Sequence, residues 1–468
     1  MEDKHLAVIN IVGLSQGLIN KTNTPYIFSL LEKYQLKSLK GVFPAVTTTA
    51  QSAMLTGKLA TEHGIVGNGW YFKELAEVGF WKQSNQLVQQ PKIWQTLKEV
   101  NPQFSCANSF WWYNMYSSVD YSVTPRPHYL ADGGKVFDLY SYPQNLHQTI
   151  EEKIGKFPFF NFWGPKAGIE SSQWIADSAI EIQKNNMPNL HLIYLPHLDY
   201  SLQKLGPEHA SIKLELLKID EVVKHLCMNL IALDTEFILV SEYGIRPVDK
   251  PFHINRFLRK HNLIKVRNSL SFELLDCGAS DAFAVADHQI AHVYINDKSK
   301  ISTIKSLLAS CDDIDLVLDD GDKGYYGVAH ERAGDLIVVA KKNVWFTYYY
   351  WFDDKKAPDF ARTIDIHRKP GYDPVEMFFD PDISWLKTKL LWKLLKKKLG
   401  FRVLMDFIGL DAELIKGSHG RLEESEEYSP VLISRPAHIE QCEQLTDIYF
   451  LIKKYFTCDS KSDENLDI

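Results

Sequence analysis

Three short apolar runs, 6–14, 190–195 and 237–240, are continuous rather than alternating, as in strands buried on both faces of a parallel sheet. Helical periodicity occupies 24–34, 92–100, 172–184 and 212–230 between and around them. Strands alternating with helices predict a doubly wound α/β sheet, whose sites lie beyond the carboxyl ends of the strands. Two polar runs follow such ends, Pro196-His197-Leu198-Asp199 and Ser241-Glu242-Tyr243-Gly244.

After Gly244 the elements shorten. A helix at 253–261, strands at 282–286 and 292–295, a helix at 300–309 and a strand at 336–340 predict a smaller α/β insertion. The expected organisation is a core in two parts, 1–249 and 346–457, an inserted cap at 250–345 and a polar, acidic tail at 458–468. The core is expected to resume near 360–373. The aromatic stretch 73–170, with Trp111-Trp112-Tyr113, reads as an irregular excursion near a cleft, and the chain carries no internal repeat.

Composition narrows the class. The chain has 468 residues, 45% apolar and 24% charged, with a net charge of −7. A disordered or fibrous protein is excluded, and the acidic balance argues against recognition of a nucleic-acid duplex. Six scattered cysteines without a C-x-x-C pair give neither a zinc signature nor a disulfide framework. The start, Met-Glu-Asp-Lys-His, lacks the basic and apolar regions of a signal peptide, and no run approaches ~18 apolar residues. A cytoplasmic enzyme is the expectation; nothing in the sequence specifies its oligomeric state.

The strongest local signal is Phe43-Pro44-Ala45-Val46-Thr47-Thr48-Thr49, which leads into a helical run ending at Gly57. Hydroxyls at a helix amino terminus either cap the helix or offer a nucleophile where the dipole favours an anion. Taken alone, the threonines favour capping.

Context changes that reading. The chain resembles the type I phosphodiesterase/nucleotide pyrophosphatase branch of the alkaline phosphatase superfamily over most of 6–421. The resemblance rests on Phe43-Pro44-x-x-Thr47, Leu55-Thr56-Gly57, His63-Gly64-Ile65-Val66-Gly67-Asn68, Tyr194-Leu195-Pro196-x-x-Asp199, Gly206-Pro207, Ser241-x-x-Gly244, Ala333-Gly334-Asp335 and Ser418-His419-Gly420. It implies an alkaline phosphatase-like sheet with an inserted cap. It also implies a small phosphoester or phosphoanhydride substrate, a covalent phospho-threonine at Thr47, and two divalent metals, usually zinc, assisting the attack and the departure of the leaving oxygen.

The departures from the family pattern all fall on metal positions. Val12 stands before Gly13 where an aspartate is expected, Gln203 stands four residues after Asp199 where a histidine is expected, and Glu242-Tyr243 replace Asp-His. Asp199 and His419 remain, and Glu242 keeps a carboxylate. Three readings follow. One ion, zinc, Mn²⁺ or Mg²⁺, is held by Asp199, Glu242 and His419 with Gln203 as a weak oxygen ligand. Or replacement ligands come from Asp287-His288, His292, His253 or Asp365-x-His367. Or the metal chemistry is lost, leaving a phosphate- or nucleotide-binding or assembly protein. A phosphotransferase with a non-water acceptor is the further alternative.

His288 and His292 suit a hairpin turn, where a satisfied or solvated histidine is the commoner outcome. Alternation through 363–373 would put Asp365 and His367 on one side of a strand, leaving Arg368 and Lys369 for substrate phosphate. His63 and His330 read as turn residues. The aromatics at 345–351 read as core and cleft wall before a base-stacking site. Residues 386–399 form a basic amphipathic helix. Docking on an anionic membrane is one use for it; an ordinary surface helix packing Leu391, Leu394, Leu395 and Leu399 on the core is the commoner one.

Overall fold

The computed structural model describes residues 4–131 and 134–458. All of the predicted tail after Cys458 lies outside the described residues. The strands of the two larger sheets are, in chain order, β1 (Leu6–Ile11), β2 (Gln35–Ser38), β3 (Cys106–Ser109), β4 (Tyr121–Pro125), β5 (Leu139–Tyr142), β6 (Leu190–Leu195), β7 (Glu236–Val240), β8 (Ala282–Asp287), β9 (Ile290–Ile295), β10 (Ile314–Leu318), β11 (Leu336–Ala340) and β12 (Val431–Ser434). The longer helices include α1 (Thr47–Thr56), α2 (Ile169–Asn186), α3 (His197–Leu205), α4 (Ile212–Ala232), α5 (Leu386–Lys398) and α6 (Asp447–Thr457).

Eight strands form the central sheet in the order β2-β12-β7-β1-β6-β3-β4-β5. The three runs that read as buried strands are its neighbouring centre, β7-β1-β6. Leu6 pairs with both Leu190 and Glu236, and both ladders run parallel. Every residue of β1 and β6 is buried, which is why both strands are largely apolar on both faces. Helices α2 and α4 pack on each other and on β6 and β7, while α6 packs on α1. The antiparallel strands β12, β2 and β5 finish the two sides. This is the expected α/β fold with a large mixed sheet.

Strands β8 to β11 form a second sheet in the order β8-β9-β11-β10, around its own cluster of Phe283, Val285, Val293, Tyr294, Leu336 and Val338. The β8–β9 connection is a two-residue turn, His288-Gln289, with His288 at a φ of 60°.

Two readings need correction. Residues 363–373 form turns and bends rather than a returning strand; their polar positions alternate because they serve ion pairs described below. The leucine stripe of α5 is not packed on the core. No residue of that helix is buried.

Candidate active site

The site is built at the carboxyl ends of β1, β6 and β7. Gly13 follows β1 and bridges Gly244. A Cβ on Gly244 would stand 2.3 Å from the Tyr428 carbonyl oxygen, so only glycine allows this approach. Asp199 and Gln203 lie one turn apart on α3, immediately beyond β6, and Glu242 and Tyr243 lie just past β7.

Thr47 is the first residue of α1, all ten residues of which are buried. The three threonines do not cap the helix; Val46 holds the cap position and contributes no side-chain bond. Thr48 donates to the Gly67 carbonyl (2.7 Å) and Thr49 to the Ile65 carbonyl (3.0 Å). Thr47 alone turns its hydroxyl to the site, 2.8 Å from the Tyr243 hydroxyl. Tyr243 donates in turn to Asp199 Oδ1 (3.2 Å). Gln203 donates to Asp199 Oδ2 (2.8 Å) and accepts from the Tyr372 hydroxyl (3.0 Å).

His419 fastens the nucleophile loop, its Nδ1 donating to the Ala45 carbonyl (2.8 Å). Its ring lies flat on Tyr243, with centroids 3.6 Å apart and 9° between planes. The other nitrogen, Nε2, has no hydrogen-bond partner and stands 3.8 Å from Asp199 Oδ1. His288 stacks on Tyr372 and touches His419 on its other side, while its Nδ1 bonds Asp287 at 2.8 Å. Asn68 accepts from the Thr48 amide and donates to Asp287, tying the helix start to the β8–β9 turn.

Glu242 is bonded through one oxygen only, and its Oε2 is buried without a hydrogen-bond partner. Its Oε1 accepts from Asn10 (2.6 Å) and Gln51 (2.5 Å), and Gln51 also accepts from the Trp112 amide. Burial pushes the carboxyl of Asp199 up to about 7 and that of Glu242 up to about 8, each partly offset by these donors. Burial likewise holds His288 and His419 well below the usual histidine range, so both rings are neutral.

These residues do not fit a two-metal centre. Val12 supplies no donor atom, the Tyr243 phenol sits on Thr47, and both oxygens of Asp199 already accept hydrogen bonds. Asp199, His419 and the unpartnered Oε2 of Glu242 are the donors left at the expected ligand positions, too few for two zinc ions that each normally take at least three from protein. Among the described residues no group of three or more His, Cys, Asp or Glu side chains is arranged to hold a metal ion.

The other candidates are drawn away. His292 bonds the Val66 carbonyl and the Gly334 amide, and His253 bonds Thr347. Asp365 pairs with the exposed Arg368, and His367 bonds the Phe80 carbonyl. Lys369 does not reach substrate phosphate, because it is buried between Asp373 (2.7 Å) and Glu376 (2.8 Å). Its effect on the site passes through Glu376, whose other oxygen accepts from the Trp163 indole. The aromatics at 345–351 are packing residues: Trp345, Tyr348, Tyr349, Tyr350 and Trp351 are all buried.

A cavity of about 50 Å³ opens above Thr47, Asp199, Tyr243 and His288. Its walls are Trp81, Trp112, Trp163, Tyr200, Tyr372 and Phe162, and neither lysine nor arginine lines it. Trp81, Trp112, Phe162 and Trp163 all belong to the aromatic stretch 73–170 expected near a cleft. Tyr200 and Tyr372 carry no motif, and Tyr243 read as a lost ligand rather than as the partner of the nucleophile.

The model of the family described as type I phosphodiesterase / nucleotide pyrophosphatase matches residues 6–373. An uncharacterized pyrophosphatase/phosphodiesterase of Schizosaccharomyces pombe is 22% identical over 246 residues, 51% of this chain and 44% of that protein. Ectonucleotide pyrophosphatase/phosphodiesterase 1 of Saccharomyces cerevisiae is 23% identical over 274 residues, 53% of this chain and 34% of that protein. The chain thus matches less than half the length of either relative. Among solved structures, murine ectonucleotide pyrophosphatase/phosphodiesterase 5, as an inactive threonine-to-alanine variant with AMP, superimposes with a TM-score of 0.59 at 13% identity, covering 98% of this chain and 96% of that one. Phosphonoacetate hydrolase of Sinorhizobium meliloti with phosphonoformate gives 0.61 at 11% identity, covering 97% and 96%.

Proposed function

Because the chain belongs to the type I phosphodiesterase/nucleotide pyrophosphatase family, we propose that it cleaves phosphodiester or phosphoanhydride bonds with Thr47 as nucleophile and a Tyr243–Asp199 relay in place of the nearby metal. The observation that carries this reading is the unbroken chain from Thr47 through Tyr243 to Asp199. As Thr47 Oγ1 attacks phosphorus, its proton passes to Tyr243 Oη while the tyrosine proton passes to Asp199 Oδ1. An Asp199 carboxyl poised near neutrality suits a general base. The amino terminus of α1 supplies a fixed positive potential where charge accumulates on the phosphoryl oxygens. In the second step the relay runs in reverse: as water attacks the phosphorus and gives up a proton to solvent, Asp199 returns its proton through Tyr243 to the departing Thr47 oxygen.

The lining of the cavity supports a diester over a monoester as substrate. With the Asp199 carboxyl at the floor and no cationic side chain lining it, a dianionic monoester is disfavoured relative to a diester, whose phosphorus carries one charge. The aromatic walls suit a planar leaving group or base. The structural neighbour whose threonine-to-alanine variant is inactive supports the choice of nucleophile by analogy.

Tyr243→Phe tests the relay. Turnover of an aryl phosphodiester is expected to fall ~100-fold in kcat, the usual scale of general-base loss, with little change in KM. An unchanged kcat would remove the relay. The lack of any lysine or arginine around the cavity favours one second reading, a non-catalytic binding protein, which predicts saturable binding of an aryl phosphodiester without turnover in the wild type.

A further inference from the structure

Helix α5 sits on an excursion closed at its base, where the Asp380 amide donates to the Phe407 carbonyl (2.8 Å) and Phe379 pairs with Ile408. Only Leu386, Leu390 and Lys393 are half-buried, and they share one narrow face of the helix, with Lys393 paired to Asp406. On the opposite face Leu391, Leu395 and Leu399 recur every fourth residue with Trp392 beside them, exposed by 69, 44, 66 and 56% respectively. Lys387 and Lys398 border this stripe on one side and Lys389 and Lys396 on the other. Trp385, Phe401 and Leu404, also exposed, extend the apolar surface past both helix ends.

Charge separates this segment from the rest of the protein. From Ile383 to Met405 there are seven basic side chains and no acidic one, in a chain whose net charge is −7. Large apolar side chains in water cost free energy that burial would recover, at ~25 cal/mol per Å². We infer that α5 is a docking element for a bilayer surface rich in anionic lipid, lying in the plane of the interface and holding the protein there peripherally.

Charge complementarity selects this occupant. A leucine and tryptophan stripe flanked on both sides by lysines matches a surface whose apolar layer lies beneath a sheet of negative headgroups. The helix has 13 residues, and no described helix is long and apolar enough to cross a membrane. Attachment therefore rests on shallow insertion plus electrostatics, with each lysine contributing about a fivefold increase in partitioning, ~1 kcal/mol.

The test is co-sedimentation of the full chain with vesicles of phosphatidylcholine alone and of phosphatidylcholine containing one third phosphatidylserine. Binding to the mixed vesicles is expected to exceed binding to phosphatidylcholine by about tenfold or more and to weaken steeply in ~0.5 M salt. Leu391→Glu/Leu395→Glu and Lys389→Glu/Lys396→Glu should each abolish that preference. Both pairs are exposed, so unchanged circular dichroism and melting will show that the variants are folded. Equal binding to the two vesicle types, no binding to either, or variants that bind like the wild type would overturn the inference. So would a lipid-free dimer that Leu391→Glu/Leu395→Glu dissociates, since the stripe would then belong to a second copy of the chain.

Discussion

Tyr243 lies flat on His419, 9° from parallel, and holds its hydroxyl 2.8 Å from that of Thr47. One side chain thereby fills the space beside the nucleophile, covers a histidine face and links Thr47 to Asp199. By family resemblance a histidine ligand is expected at this position. The replacement is chemically coherent, because Gln203 and Tyr372 extend the same hydrogen-bonded set around Asp199.

Restoring donors should restore metal binding. The triple variant Val12→Asp/Gln203→His/Tyr243→His places the residues that the resemblance implies alongside Asp199, Glu242 and His419. After dialysis against zinc and removal of excess, elemental analysis is expected to find about one to two equivalents in this variant and less than a tenth in the wild type. Stoichiometric zinc in the wild type, lost in Asp199→Ala, would show that the native donors suffice.

The buried carboxyls should leave a mark on stability. Burial raises the folded-state values of Asp199 and Glu242, to about 7 and about 8, above those of the unfolded chain. The folded state therefore binds these protons more tightly. Their contribution favours folding at low pH and is lost as pH rises from about 4 through 7 and 8. Glu242→Gln keeps the Oε1 acceptor used by Asn10 and Gln51 and removes the charge, whereas Asp199→Asn would turn one of two accepting oxygens into a donor. Glu242→Gln is expected to gain ~2 kcal/mol over wild type at pH 8.5 and almost nothing at pH 4.5, read by denaturant unfolding. Destabilisation at pH 8.5 would mean that the ionised carboxylates are satisfied in the native protein, as metal ligands would be.

Lys369 holds the aromatic wall from behind. Lys369→Met leaves Asp373 and Glu376 buried without a counter-charge and is expected to cost ~3–5 kcal/mol of stability. Glu376 would then lose its grip on the Trp163 indole, and KM for an aryl phosphodiester should rise more than kcat falls. A stability change under ~1 kcal/mol would contradict this buried-pair description.

The centre of the fold was legible because strands buried on both faces have no choice but continuous apolar sequence, and 6–14, 190–195 and 237–240 became β1, β6 and β7. Thr47, Asp199 and His419 were legible through their surrounding motifs. Tyr243 and Gln203 read only as missing ligands, since sequence gives residue identity but not the contacts that a replacement makes. The stretch 363–373 misled for a different reason: its polar positions answer to the Lys369–Glu376 pair, not to a sheet. In α5 the amphipathic pattern was plain, but periodicity states that a face is apolar without stating what covers it.

The most direct test of the account is hydrolysis of bis(p-nitrophenyl) phosphate by protein treated exhaustively with a chelator, wild type beside Thr47→Ala. A relay through Tyr243 and Asp199 predicts that the wild-type rate survives chelation within about twofold and that Thr47→Ala lowers it by ~1,000-fold or more. A wild-type rate abolished by chelation and restored by zinc, or persisting in Thr47→Ala, would contradict it.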